Sequence, residues 1–288
     1  MARHVFTSIV LAGVLMSGCD ANAGAFVSGT ILPTAEQVRA LGAEGHSTRQ
    51  MVEAVRNGDV GAACRLLDAD PALARIGDGH DLDLLTLAIS RDDRSMVRLL
   101  LDKGASPDGP HDEVPLSLAL RAREPWHAQA LLQAGAKPDP VREDGFWPLD
   151  EAISLNSLGA VRLLLDHGAE VNRADRTGGT PLETAVAMQN YRIAELLLER
   201  GGDPWAVGVN GDTIAAAATA PVRPGEPEEA QARDRVVARL QAAGWRLPPP
   251  SPQAVRAEVM AGRWPPAGAR GGRAPSPEVV ERMRRLWP

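Results

Sequence analysis

The feature that most constrains this chain is a repeat of about 33 residues. Six alanines recur at intervals of 34, 31, 33, 33 and 33 residues, namely Ala54, Ala88, Ala119, Ala152, Ala185 and Ala218. Four of them are followed sixteen residues later by a glycine: Gly104, Gly135, Gly168 and Gly201. Because two independent markers keep the same spacing over four repeats, the sequence predicts an architecture of stacked units.

Each unit has the signals of a pair of helices. In the segment RTGGTPLETA, Thr180 is placed to cap a helix with its hydroxyl, and Pro181 suits the first helical turn. A second helix follows a break at 189–190 and is expected to end at Gly201, since glycine favours the left-handed position past a helix end. Leucine triplets such as 196–198 give this helix more apolar surface than one pair can bury, so neighbouring pairs must cover it.

These residues resemble the ankyrin repeat family. Its pattern matches Asp175, Gly178, Thr180-Pro181-Leu182, Ala185 and the triplet at 196–198. The resemblance implies an all-α fold, a solenoid of stacked helix-turn-helix units with projecting finger loops and a concave protein-binding face. It covers residues 47–247 in about six units: 47–77 as an N-terminal cap, 78–108, 109–141, 142–174, 175–207, and 208–247 as a C-terminal cap with an insertion.

Several units depart from the pattern. Trp147 replaces the threonine and so loses the hydroxyl cap, and Asp83-Leu84 replaces Thr-Pro in the second unit. The last unit carries the insertion PVRPGEPEEAQA, after which Arg233–Ala243 is predicted to form the helix that closes the stack.

Residues 1–23 have the pattern of an export signal. A positive charge at Arg3 precedes an apolar run that is too short for a membrane span. The segment Met16-Ser17-Gly18-Cys19 resembles a bacterial lipobox, which implies lipidation of Cys19, whereas Ala21-Asn22-Ala23 offers an ordinary cleavage site. We expect a periplasmic lipoprotein on the inner membrane, as Asp20 indicates, with a soluble secreted form or an uncleaved anchor as the alternatives. Residues 24–46 are expected to form a tether that includes one helical turn at Thr34–Leu41.

The segment 248–288 is rich in proline and arginine. It contains seven arginines and three glutamates, and two helices are predicted, each opened by Ser-Pro, at Ser251–Ala261 and Ser276–Leu286. One interpretation is a solvated tail. The other is that Trp264 and Trp287 anchor the segment on the final repeat or on a partner.

The sequence offers no residues for catalysis. The six histidines are not paired with one another or with cysteine at metal spacing, and no phosphate loop or nucleophile elbow occurs. The net charge of −6 gives no basic field for nucleic acid. We therefore predict a monomeric, non-enzymatic protein without cofactor or metal.

What remains is a surface for binding another protein. The resemblance assigns the partner contacts to finger and first-helix positions, with Phe146 and Trp147 as the favoured hot spot, although Trp147 could instead pack between fingers. The assigned residues are His80, Leu82, Arg91, His111, Glu113, Arg121, Glu143, Phe146, Trp147, Leu155, Arg176 and Met188. The predicted function is an interaction scaffold, and the alternatives are an immunity-type inhibitor that occludes a toxin or hydrolase and a stress-related accessory protein.

Overall fold

The computed structural model describes residues 33–41, 45–77, 82–109, 114–140, 147–175, 179–219 and 226–287. Within these ranges the regular structure is helical, with isolated β-bridges at Gly77–Asp83 and Val207–Thr213. The predicted all-α class is therefore confirmed.

Six helical hairpins follow one another along the chain. Their first helices form one row and pack on their sequence neighbours: α2 (His46–Asn57), α4 (Leu84–Ser90), α6 (Val114–Leu120), α8 (Pro148–Ser154), α10 (Pro181–Ala187) and α12 (Ile214–Ala218). Their second helices form the other row: α3 (Val60–Ala69), α5 (Arg94–Asp102), α7 (Trp126–Gln133), α9 (Leu158–Asp166), α11 (Tyr191–Glu199) and α13 (Pro227–Ala243). Outside the hairpins lie α1 (Ala35–Leu41), a 3-10 turn at Pro71–Arg75, α14 (Pro252–Met260) and α15 (Pro277–Leu286).

The repeat markers have the roles that their chemistry indicates. The alanine of each first helix is buried, as Ala152 and Ala185 illustrate, so the paired helix approaches closely. The glycine that follows α5, α7, α9, α11 and α13 has a positive φ, for example +92° at Gly168, where a side chain would be strained, whereas α3 is followed by Asp70. Leu164 and Leu197 are fully buried in one core that runs through all the hairpins.

Side-chain caps start most of the helices. Thr180 forms the expected capping box, in which its hydroxyl accepts from the Glu183 N–H and the Glu183 carboxyl accepts from the Thr180 N–H. At Trp147 the side-chain cap is absent, as the substitution predicts. Asp83 replaces the threonine functionally, because its carboxylate accepts from the Thr86 N–H at 2.6 Å.

A ladder of side-chain hydrogen bonds joins the loops of successive units. Asp108 accepts from the backbone N–H of Lys137, Asp139 from that of Glu170, and Asn172 from that of Asp203, at 2.6–2.7 Å. Asn172 also donates to the Gly201 carbonyl at 2.9 Å. These bonds fix the register between units and pair polar backbone groups of each loop with a side chain of the preceding unit.

Two boundaries differ from the sequence predictions. The stretch 24–46 is not a tether throughout, since α1 packs on α2 and Leu41 is 2% exposed. The closing helix begins at Pro227 rather than Arg233, because the second half of the insertion, including Ala232, turns one face to the core. The rest of the insertion, and residues 1–32, lie outside the described residues.

The C-terminal segment folds onto the last hairpin, which overturns the solvated-tail interpretation. Trp205 and Trp245 stack with ring centroids 4.2 Å apart, and Trp264 meets both rings edge-on at 5.7 Å. The Trp264 indole N–H donates to the Trp205 carbonyl at 3.0 Å. Both predicted helices are present as α14 and α15, whereas Trp287 remains 43% exposed.

We predict that Trp264→Ala lowers the free energy of unfolding by about 3–5 kcal/mol, because it empties an aromatic core site. Thermal melting and limited proteolysis measure this: the variant should melt lower and lose the segment after Gly244 first. Trp287→Ala is the control, with a change under about 1 kcal/mol expected because the ring is largely in water. Equal effects of the two variants would contradict the packing role.

Candidate protein-binding surface

Six of the predicted contact residues, and the predicted lipidation site Cys19, lie outside the described residues. The six are His80, His111, Glu113, Glu143, Phe146 and Arg176. Their assignment therefore stays a prediction.

The prediction for Leu82 is wrong. Its side chain is 2% exposed and belongs to the core rather than to a finger surface. The bridge between Gly77 and Asp83 and the hydrogen bond from the Leu84 N–H to the Ile76 carbonyl close the finger just beyond this residue. Leu82 thus lies at the finger base, where burial stabilises a large apolar side chain.

Three predicted residues share one structural position. Arg91, Leu155 and Met188 are each the residue that ends a first helix, so stacking places them along one edge of the first-helix row. Arg91 is exposed, and Leu155 and Met188 are half-buried. Ser154 and Ala187, the residues before the latter two, are exposed beside them. This edge combines a cation with accessible aliphatic groups, which is suited to a protein partner.

Arg121 is held by a buried carboxylate that sequence analysis missed. The Glu151 side chain is 4% exposed and accepts from Arg121 Nε at 2.6 Å and from Ser117 Oγ at 2.5 Å. Because Arg121 is 41% exposed at its side chain, one face of the guanidinium stays accessible while α8 fixes its position. The only sequence signal for this arrangement is a glutamate within the otherwise apolar face of α8.

Trp147 is half-buried at the start of α8. The Arg173 guanidinium carbon lies 3.7 Å from the centre of its ring, a cation–π contact between neighbouring loops. Its indole N–H is buried without a hydrogen-bond partner. Trp147 therefore packs between loops, in agreement with the alternative interpretation.

Buried carboxyls line the starts of α8 and α10. Asp150 and Glu183 occupy equivalent positions, and each accepts from the backbone N–H that opens its helix. Burial raises the pKa of Asp150 to about 6 and that of Glu183 to about 7, with the nearby Asp175 charge adding to both shifts. This stretch of the surface therefore changes its charge near neutral pH.

The fold and the loops can now be compared with known proteins. Residues 149–198 match the family model described as ankyrin repeats in many copies. The ankyrin repeat domain of Bcl-3, a member of the IkappaB protein family, superposes with a TM-score of 0.56 at 25% identity, covering 82% of this chain and 97% of that one. The described chain has the ankyrin-repeat fold.

Two further ankyrin structures and one curated sequence are also similar. The protein EF0377 has a TM-score of 0.52 at 21% identity, covering 67% of this chain and 96% of that one. A domain from Acinetobacter baumannii AYE has a TM-score of 0.55 at 19% identity, covering 66% and 97%. The E3 ubiquitin-protein ligase hecd-1 of Caenorhabditis elegans is 31% identical over 104 residues, or 36% of this chain. The chain spans only 4% of the length of that relative.

Ankyrin repeats are a general protein-interaction scaffold, and the described surface is consistent with that use. In the described ranges, no helix combines the length and the apolar character needed to cross a membrane.

We predict that Glu183→Gln stabilises the protein at pH 8 and has little effect near pH 4. The folded-state pKa of about 7 exceeds the ordinary 4.5, so the stability contributed by the protonated acid is present below pH 4.5 and is lost as pH rises through 7. Glutamine keeps the acceptor oxygen and carries no charge, so the gain at pH 8 should be on the order of 3 kcal/mol. Denaturant unfolding at both pH values tests this, with the exposed Glu170→Gln as control. An equal gain at both pH values would contradict the assignment.

Proposed function

We propose that this protein is a non-enzymatic interaction scaffold on the periplasmic side of a bacterial membrane and binds a partner through its first-helix row and fingers. The observation that carries the proposal is the contrast between its two helical rows. The second-helix row carries several ion pairs between neighbouring units, whereas the first-helix row combines the Arg121–Glu151 pair with accessible aliphatic groups.

Ion pairs join α3 to α5, α9 to α11 and α11 to α13 along the second-helix row. Neighbouring second helices or their ends are joined by Lys103–Asp68, Arg200–Asp166, Arg192–Glu228, Arg235–Glu195 and Arg239–Glu199, at 2.5–2.9 Å. A partner on this row would have to break or desolvate such pairs, which costs free energy. The row is therefore the less favourable docking face.

The first-helix row presents a different chemistry. Arg121 is oriented by Glu151, while Ser154, Leu155, Ala187 and Met188 form a small, weakly polar edge beside it. Small residues let a partner approach the helices closely, and a preorganised arginine loses little entropy when it binds. Both properties favour recognition of a protein surface that carries an acidic group.

The last unit contributes less to this surface. Arg256 of α14 donates to the Asn210 carbonyl at 2.6 Å, and a Cβ at Gly211 would lie 2.4 Å from the Pro252 carbonyl oxygen. The C-terminal segment thus packs against the finger at residues 208–212. The proposed partner surface is consequently centred on α6, α8 and α10.

The membrane location is the second part of the proposal, and it is supported by the sequence of residues 1–23 alone. The apolar run followed by Met16-Ser17-Gly18-Cys19 is similar to a lipoprotein signal. Acylation of Cys19 would keep the ankyrin stack close to the bilayer. The partner would then be a periplasmic or membrane protein.

The double variant Ser154→Arg with Ala187→Arg should abolish partner capture, because two long cations would fill the exposed edge without disturbing the core. Cross-linking in intact cells followed by mass spectrometry should identify a partner with the parent chain and lose it with this variant. Gln129→Arg with Gln133→Arg is the matched control, since it adds the same charge at exposed positions of α7. Capture that survives the first variant, or fails only with the control, would refute the assigned surface.

Cys19→Ser should release the protein from the membrane fraction, because it removes the thiol that would be acylated. Fractionation of cells and labelling with a fatty-acid analogue measure the effect. The expected result is loss of label together with solubility of the variant. A variant that remains membrane-bound, or a parent chain that takes up no label, would exclude the lipoprotein assignment and leave the surface assignment to the cross-linking experiment.

A further inference from the structure

The C-terminal end of α15 leaves large apolar side chains in water. In the described ranges, the large hydrophobic residues classed as exposed are Leu286 at 56% and Trp287 at 43%. On the packed side of this helix, Val279 and Met283 are buried and Val280 is half-buried. Since a folded chain gains by burying such groups, two adjacent ones at a projecting helix end indicate a contact surface.

Arginines surround these two side chains. Arg284 and Arg285 precede them and are exposed, and the guanidinium of Arg256 from α14 lies 4.1 Å from the centre of the Trp287 ring. The glutamates of α15 lie towards its start, at 278 and 281. Glu281 forms an ion pair with Arg285 at 3.0 Å on the exposed face of the helix. The basic end of α15 coincides with its apolar end, because Arg284 and Arg285 adjoin Leu286 and Trp287, although the whole chain has a net charge of −6.

The packing of α14 and α15 fixes this cluster at one end of the molecule. The two helices contact each other, and Arg256 is held by the Asn210 carbonyl as well as by Trp287. Leu286 and Trp287 are thus presented by a folded cap rather than by a loose chain end. We call Arg256, Arg284, Arg285, Leu286 and Trp287 the C-terminal patch.

We propose that the C-terminal patch binds the surface of a membrane that contains anionic phospholipids. Tryptophan is enriched at the water–hydrocarbon boundary of bilayers, where its ring is partly buried, and arginines beside it pair with lipid phosphates. Charge complementarity selects this occupant, because the arginines match anionic headgroups and the two apolar side chains match the bilayer interface. An acidic protein would need a surrounding rim of contacts to exclude water, and a helix end offers little such area.

This contact is a weak second attachment that acts together with any N-terminal anchor. Each arginine near an anionic bilayer strengthens binding about fivefold, so three arginines and two apolar side chains give reversible binding. Because the attraction is electrostatic in part, it should weaken as salt is raised. The inference does not depend on which protein binds the first-helix row.

Tryptophan quenching by brominated lipids tests the proposal on the full chain. Residues 1–32 contain no tryptophan, so the fluorescence does not report on the lipid contacts of that segment itself. Trp205, Trp245 and Trp264 are buried and Trp126 and Trp147 are half-buried, which leaves Trp287, at 43% exposure, as the most accessible ring. We expect quenching on vesicles of phosphatidylglycerol mixed with phosphatidylcholine, much less on phosphatidylcholine alone, and its loss in Trp287→Phe.

Charge-reversal variants complete the test. Arg284→Glu with Arg285→Glu should lower the lipid affinity measured by quenching at least about twentyfold. Arg49→Glu with Arg56→Glu makes an equal charge change at exposed positions of α2 and should leave that affinity nearly unchanged. Melting curves of all variants should match the parent, since the changed side chains are exposed. Quenching that is equal on both vesicle types, that is insensitive to the first variant, or that is absent altogether would overturn the proposal, and absence would favour an acidic protein as the ligand.

Discussion

The interaction on which the whole structure depends is the burial of each hairpin against its sequence neighbours. No single hairpin can cover the leucines of its second helix, and residues such as Leu164 and Leu197 become fully buried only between adjacent units. Hydrogen bonds from the next loop to Asp139 and Asn172 fix how neighbouring units are oriented in this apolar contact. Apolar burial supplies most of the stability, and the hydrogen bonds set the spacing.

A stack of this kind has two ends whose apolar faces must be covered. At the N-terminal end α1 packs on α2 and buries Leu41. At the C-terminal end the long helix α13 and the tryptophans at 205, 245 and 264 close the core. The ends are therefore where this chain departs furthest from its own repeat. The C-terminal patch lies at one of these ends, outside the contacts between neighbouring hairpins.

The repeat allowed much of the fold to be predicted from sequence, because helix pairs, caps and glycine stops depend on local chemistry. Thr180 and Gly201 are examples, since each acts through its own backbone geometry. The burial of Leu82 and the early start of α13 were not predictable in this way, because both depend on which surface the neighbouring unit offers. The candidate site was harder still to predict from the sequence. The Glu151–Arg121 pair joins two units, so no single repeat reveals it. Binding positions are also those at which the repeat pattern imposes no residue type.

Each unit of the stack is stabilised mainly by its immediate neighbours, and hydrogen exchange on the full chain with Leu164→Ala tests this nearest-neighbour stabilisation. The substitution removes a fully buried side chain from α9 and should destabilise by about 2–5 kcal/mol. Exchange should accelerate most in α8 to α11 and progressively less towards α2 and α13. Equal acceleration in α2 and α9 would show a single indivisible core and would contradict it.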